Sequence, residues 1–279
     1  MGLLSAVLAG IGQIYFINRP LPGLLITLAV AWVSPYMALV MLLATAGATL
    51  TAHWLRFDAQ LQAEGVYGFN AALVGLALAL FAPDNPWVPL VAVVLGCVSC
   101  LVYFLLRKLG NIPWYTLPFN LLILPWLYWS GQRLADEVPD GYQFALSAVG
   151  QVVFLPDTLP AVLICIALLM AGIGMLGWAL AGGLLASLLA LGLLVNPDYM
   201  NFGLTGYNGV LAAIAMFWQR LKFGWSLAAA LLAGGMTAVM LKLGLPMLTM
   251  PFVLSCWLCL LAQWLAGNRC QPTPPKIRI

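Results

Sequence analysis

Long apolar runs, hardly ever broken by a charge, decide what this chain can become. They cover residues 2–16, 21–34, 36–55, 69–82, 87–106 and 113–130, and then 142–155, 159–175, 177–195, 205–218, 224–241 and 247–266. Of the 279 residues, 64% are hydrophobic and 7% charged, against about a quarter charged in a soluble domain. No water-soluble fold of this length hides that much apolar surface. In lipid every backbone polar group must find its partner inside the protein, which leaves helices or a closed barrel. Barrel strands alternate apolar and polar residues. These runs are continuous and rich in Leu, Ala and Gly, so the expected fold is an all-α polytopic protein of the lipid bilayer.

A spanning helix needs about 20 residues. The fourth run of each set, 69–82 and 205–218, falls short of that and opens on Gly and Asn. Both are expected as short re-entrant half-helices, leaving ten transmembrane helices, five in each half. The halves are residues 1–135 and 136–268, followed by a tail at 269–279. The stretch 1–16 has no basic leader and no small-residue cleavage pattern, so it reads as the first membrane helix, not a signal peptide.

The two sets are copies. Gly-Gln-Ile-Tyr-Phe at 12–16 returns as Gly-Gln-Val-Val-Phe at 150–154, and the Gly-Phe-Asn at 68–70 returns as Gly-Tyr-Asn at 206–208, both 138 residues later. Pro-Trp-Tyr-Thr-Leu-Pro-Phe at 113–119 returns as Pro-Met-Leu-Thr-Met-Pro-Phe at 246–252, 133 residues later. Five spans per copy invert the second against the first, and in such folds the solute site lies between the repeats near the membrane midplane. A cytoplasmic N-terminus places Arg107, Lys108, Arg220, Lys222, Arg269, Lys276 and Arg278 inside, and Arg19, Arg56, Arg133 and Lys242 outside. That bias favours cytoplasmic N- and C-termini.

Charge also limits function. The net +3 is scattered and gives no patch for nucleic acid. The Cys97/Cys100 and Cys256/Cys259 pairs have no His or acid in their runs, so they read as small apolar packing residues, with no metal and no cofactor expected. His53, at the end of the third run, is read as interfacial. Without ionisable groups at membrane depth there is no proton relay or ion path, and no acid, base or nucleophile for an enzyme. What remains inside is neutral and polar, namely Gln13, Gln151, Asn70, Asn208, Thr116, Thr249 and Asn120, interleaved with aromatics. A slot with apolar faces and oxygen acceptors along its edges suits a flat, uncharged solute rich in N–H groups, and rejects ions on desolvation cost. Short amides, ammonia and water fit the same description, and neutral oxygens leave a Na⁺-coupled carrier open.

The three blocks, each present twice and in one order through nearly the whole chain, resemble the urea transporter family. The resemblance implies a homotrimer with a pore in each protomer and passive, channel-like flow of urea. It also implies roles. Thr116 and Thr249 would supply the hydroxyls of a narrow middle, walled by Leu73 and Leu211. Phe16 and Phe69 would form the outer slot toward one face, and Tyr207 with Val152 or Phe154 the slot toward the other. Gln13 and Gln151 would head rows of acceptor oxygens, and Asn70, Pro118, Asn208 and Pro251 would shape the turns. The chain departs from the family pattern in three places. Gln151 stands where some relatives carry Glu, Ala161 replaces the glycine that the first copy has at Gly23, and Tyr207 adds a hydroxyl to its slot. The compact chain reads as a bacterial inner-membrane protein.

Overall fold

Among the described residues, seven helices follow one another and are then followed by seven more in the same order. The computed structural model describes residues 2–110, 112–130 and 144–266. The first set is α1 (Leu3–Gly12), α2 (Pro20–Val33), α3 (Pro35–Trp54), the short α4 (Ala59–Ala63), α5 (Phe69–Phe81), α6 (Val88–Leu109) and α7 (Leu117–Ser130). The second is α8 (Phe144–Gln151), α9 (Thr158–Ala171), α10 (Ile173–Gly192), the short α11 (Asp198–Asn201), α12 (Tyr207–Trp218), α13 (Phe223–Lys242) and α14 (Met250–Leu265). A single 3₁₀ turn, Gln13–Tyr15, extends α1. No strand occurs among the described residues. The drop from 138 to 133 is distributed: α12 is shorter than α5, α13 is shorter than α6, and the link between the second pair is shorter as well. The boundary at 135/136 and the tail at 269–279 lie outside the described residues.

Backbone strain repeats along with the helices. Left-handed conformations, uncommon away from glycine, occur at Phe16 and Phe154 (φ 62° each), at Arg56 and Leu194 (54° and 60°), and at Tyr115 and Leu248 (46° and 42°). Gly65 and Gly203 add a fourth matched pair, at 76° and 69°. The copies therefore share their kinks as well as their sequence blocks.

Four helices, α3, α6, α10 and α13, are long and apolar enough to cross a membrane by themselves. The segments expected to be re-entrant behave differently. Gly68 approaches Thr45, and Gly75 approaches Val40 and Met41, so α5 runs antiparallel to α3, from beside its middle toward its Pro35 end. Chain then returns through α6, whose Phe104 stacks on Phe57 just past the end of α3 at 3.8 Å; α3 and α6 are thus parallel. Every residue of α5 except Leu80 is buried, as is α12 up to Met216. A helix wrapped in protein has its polar backbone shielded from lipid, so it need not match the bilayer in length. The sharp break lies elsewhere: α1 with its 3₁₀ turn meets α2 at 76°. The left-handed Phe16 and the extended Arg19 mark that corner.

That corner uses the glycine the second copy lacks. A Cβ at Gly23 would sit 1.8 Å from the Leu8 carbonyl oxygen, so α1 and α2 touch backbone to backbone. Ala161 occupies the matching place and is fully buried, which holds α8 and α9 about a methyl group further apart.

The same contacts revise the charge tally. Arg56 and Arg107 follow the ends of two parallel helices, and Arg19 lines one cleft with Arg220. The sequence tally, with run 2–16 counted as a crossing and 69–82 as a half-helix, had divided both pairs between opposite faces.

Candidate solute pathway

The third block forms the centre. Thr116 precedes α7 and Thr249 caps the start of α14. Their hydroxyl oxygens are 2.7 Å apart, directly hydrogen-bonded and buried. Each threonine follows a left-handed residue, Tyr115 or Leu248, and each of those is held by an asparagine of the second block. Asn70 donates its Nδ2 to the Tyr115 carbonyl (3.3 Å), and its Oδ1 accepts from Phe119 N (3.1 Å). Asn208 repeats this with the Leu248 carbonyl and Phe252 N, both at 3.2 Å. The clamp pays for a strained backbone and pairs orphan groups at a helix start. Pro118 and Pro251 occupy the second positions of α7 and α14, where a missing N–H costs nothing. Asn208→Leu leaves the Phe252 N–H without that partner, at about 1–3 kcal/mol for an unmet buried group, while the Leu248 carbonyl keeps the Tyr207 hydroxyl. It is expected to lower the thermal midpoint in detergent, and an unchanged midpoint would show the clamp to be idle.

One residue here has no mate. Asn120 Nδ2 lies 2.8 Å from the Thr116 carbonyl and 2.8 Å from Thr249 Oγ1, and its Oδ1 accepts from Thr249 N at 3.2 Å. The corresponding place in the second copy is Val253.

Phe16 sits at the edge of this centre. Its ring neighbours are Trp218 at 5.7 Å, Tyr115 at 6.1 Å and Phe252 at 6.3 Å. Tyr115 also accepts a hydrogen bond from Gln219 Nε2. Above them opens a cleft of about 390 Å³, bounded by Phe16–Arg19, Ala171, Met175 and the segment from Phe217 to Leu221. In the second copy Phe154 meets Phe81 at 6.1 Å, and Phe81 meets Trp126 at 6.5 Å. Each copy's left-handed phenylalanine therefore reaches the end of the other pairing helix: Phe16 the end of α12, Phe154 the end of α5.

Other residues singled out from sequence are placed as follows. Phe69 turns its ring edge-on to Tyr103 at 5.7 Å, and no ring contact joins it to Phe16. Leu73, Leu211 and Val152 are buried. Gln13 donates its Nε2 to the Glu64 carbonyl at 2.9 Å, which leaves its Oε1 as the acceptor. Gln151 is buried. The Tyr207 hydroxyl donates to the Leu248 carbonyl, so the extra polar group of that slot is already committed. Tyr15, read from sequence only as one aromatic among several, ties the halves together by donating to the Val149 carbonyl at 2.6 Å. Sequence reasoning did not find Trp218, Gln219 or the Arg19–Arg220 cleft. Their partners are one hundred to two hundred residues away, and no short-range spacing signals them.

A flat solute between two ring faces needs about 7 Å, twice the carbon contact distance; the Phe16 and Trp218 ring centroids are 5.7 Å apart and the two threonine hydroxyls 2.7 Å apart.

Comparison with known proteins decides the family. The urea transporter family model matches residues 4–264. The chain belongs to the urea transporter family. Among its relatives are the sheep protein named urea transporter 1, 31% identical over 91% of this chain and 76% of the relative, and the mouse protein of that name, 30% identical over the same shares. The family is one of transport proteins.

Proposed function

We propose that this member of the urea transporter family carries urea passively across its membrane along a path between the two copies. The path leads from the Arg19–Arg220 cleft past Phe16 and the Thr116–Thr249 pair to Phe154 and Phe81. The buried, directly bonded threonine pair carries this reading, because it puts hydroxyl donors and acceptors at the contact between repeats with no charge at membrane depth. Gln13, Phe69, Leu73, Gln151, Val152, Tyr207 and Leu211 are the further wall residues of the proposal. Stopped-flow light scattering on proteoliposomes under a urea gradient tests it. Fast urea entry, indifferent to ionophores and ahead of glycerol, is expected; entry no faster than in empty liposomes would refute it.

The proposed architecture has ten spans, α2, α3, α5, α6 and α7 with their mates, and two inverted copies. It moves the half-membrane role to α1 and α8. The start of α2 lies beside the end of α9, where Arg19 Nη1 reaches the Met170 carbonyl at 3.4 Å, as inverted copies require. On this path Arg19, Arg56, Arg107, Lys108, Arg220 and Lys222 share one face with Asp58 and Glu64. Lys242, Asp84, Asp157 and Asp198 occupy the other. Cytoplasmic loops favour Lys and Arg, so the arginine face is placed in the cytoplasm, with three protomers assembled in an inner or plasma membrane. An impermeant maleimide applied from outside is expected to label Asp84→Cys and spare Arg220→Cys in a background lacking native cysteines. The reverse pattern would overturn the orientation.

A further inference from the structure

We infer that Asn120 is a positioning residue that gives the threonine pair a direction, so that Thr116 offers the solute its hydroxyl hydrogen. The inference rests on the pathway proposed above.

The backbone fixes which way the amide points. Oδ1 takes the Thr249 N–H and Nδ2 gives to the Thr116 carbonyl, so a flipped amide would set donor against donor and acceptor against acceptor. Nδ2 also donates to Thr249 Oγ1 at 2.8 Å but lies 3.5 Å from Thr116 Oγ1. A hydroxyl that accepts a hydrogen bond becomes the better donor in the next one. Thr249 therefore donates to Thr116, and the chain runs from Asn120 through Thr249 to Thr116, whose own hydrogen has no partner in the chain. Two hydroxyls have two hydrogens and four lone pairs between them. The mutual bond uses one of each and Asn120 one more lone pair, which leaves one donor and two acceptors. That set matches a solute with one carbonyl oxygen and several N–H groups. The second copy cannot oppose this direction, since Val253 stands where Asn120 would be.

The test compares urea with thiourea in proteoliposomes, because sulfur is a weak hydrogen-bond acceptor. Asn120→Leu keeps the side chain's branching and its number of heavy atoms and is expected to lower the urea-to-thiourea permeability ratio about fivefold, the worth of one net hydrogen bond. Thr249→Val should lower it similarly, and the double variant should go no lower, because both break one chain. Thr116→Val should lower it most. An Asn120→Leu protein that slows both solutes alike, or neither, would overturn the inference, as would additive single effects. Should Asn120→Leu fail to assemble, equal losses from Thr116→Val and Thr249→Val would overturn it too, because a chain with a direction makes them unequal. Wild-type urea flux in Thr116→Val would instead sink the pathway itself.

Discussion

With valine at both Thr116 and Thr249, urea flux is expected to fall about ten- to hundredfold in reconstituted vesicles while the protein still assembles. Valine has the shape of threonine without its hydroxyl, so the packing around α7 and α14 is kept. What is lost is every hydroxyl donor and acceptor at the centre. Each net hydrogen bond is worth about 0.5–1.5 kcal/mol, and two lost contacts to a dehydrated solute give the stated range. The Asn120 amide also loses Thr249 Oγ1. Its bonds to the Thr116 carbonyl and the Thr249 N–H remain, which is why assembly survives. Flux within twofold of wild type would show that the solute passes elsewhere.

The second large effect concerns assembly. Gly203→Val is expected to leave little folded protein in the membrane. Gly203 has φ 69°, a conformation that costs a residue with a Cβ about 1–2 kcal/mol. That Cβ would lie 2.3 Å from the Ser147 carbonyl oxygen, backbone that cannot move aside as a flexible side chain could. Overpacking of this kind adds about 1–3 kcal/mol or more. Gly65 repeats the arrangement at φ 76°, with its Cβ 2.2 Å from Gly10 N. Gly235→Ala is the control. Its nearest neighbour would be 3.8 Å away, and yield of the assembled protein should be unchanged. Equal yields from Gly203→Val and Gly235→Ala, read by size-exclusion chromatography in detergent, would contradict the close approach.

Duplication made much of this legible in the sequence. Asn70 and Asn208, or Thr116 and Thr249, stand out because each appears twice beside the same Gly and Pro, and the structure finds each pair in matching hydrogen bonds. The same habit of reading left Asn120 as one neutral polar residue among several, with no role of its own. A search for matching positions passes over a polar residue whose mate is Val253, although that difference is what makes the centre one-sided. The role of α5 was read from its length alone. Length was judged as if every helix faced lipid, whereas α5 is enclosed by protein, and the 76° corner at Phe16–Arg19 depends on a left-handed phenylalanine that composition does not announce. The charge tally depends on the same judgement: counting α1 as a crossing set Arg19 and Arg56 opposite Arg220 and Arg107, whereas Arg19 lines one cleft with Arg220 and Phe57, next to Arg56, stacks on Phe104 near Arg107.

One equivalent corner changes the sign of its charge across the duplication: Arg19 of the first copy corresponds to Asp157 of the second. Two inverted copies with equal charges would give the insertion machinery no reason to prefer one orientation, and newly made chains would enter both ways up. Exchanging a few residues at equivalent corners removes that ambiguity without touching the interior. The pathway can thus stay nearly symmetric while the molecule as a whole has an unmistakable top and bottom.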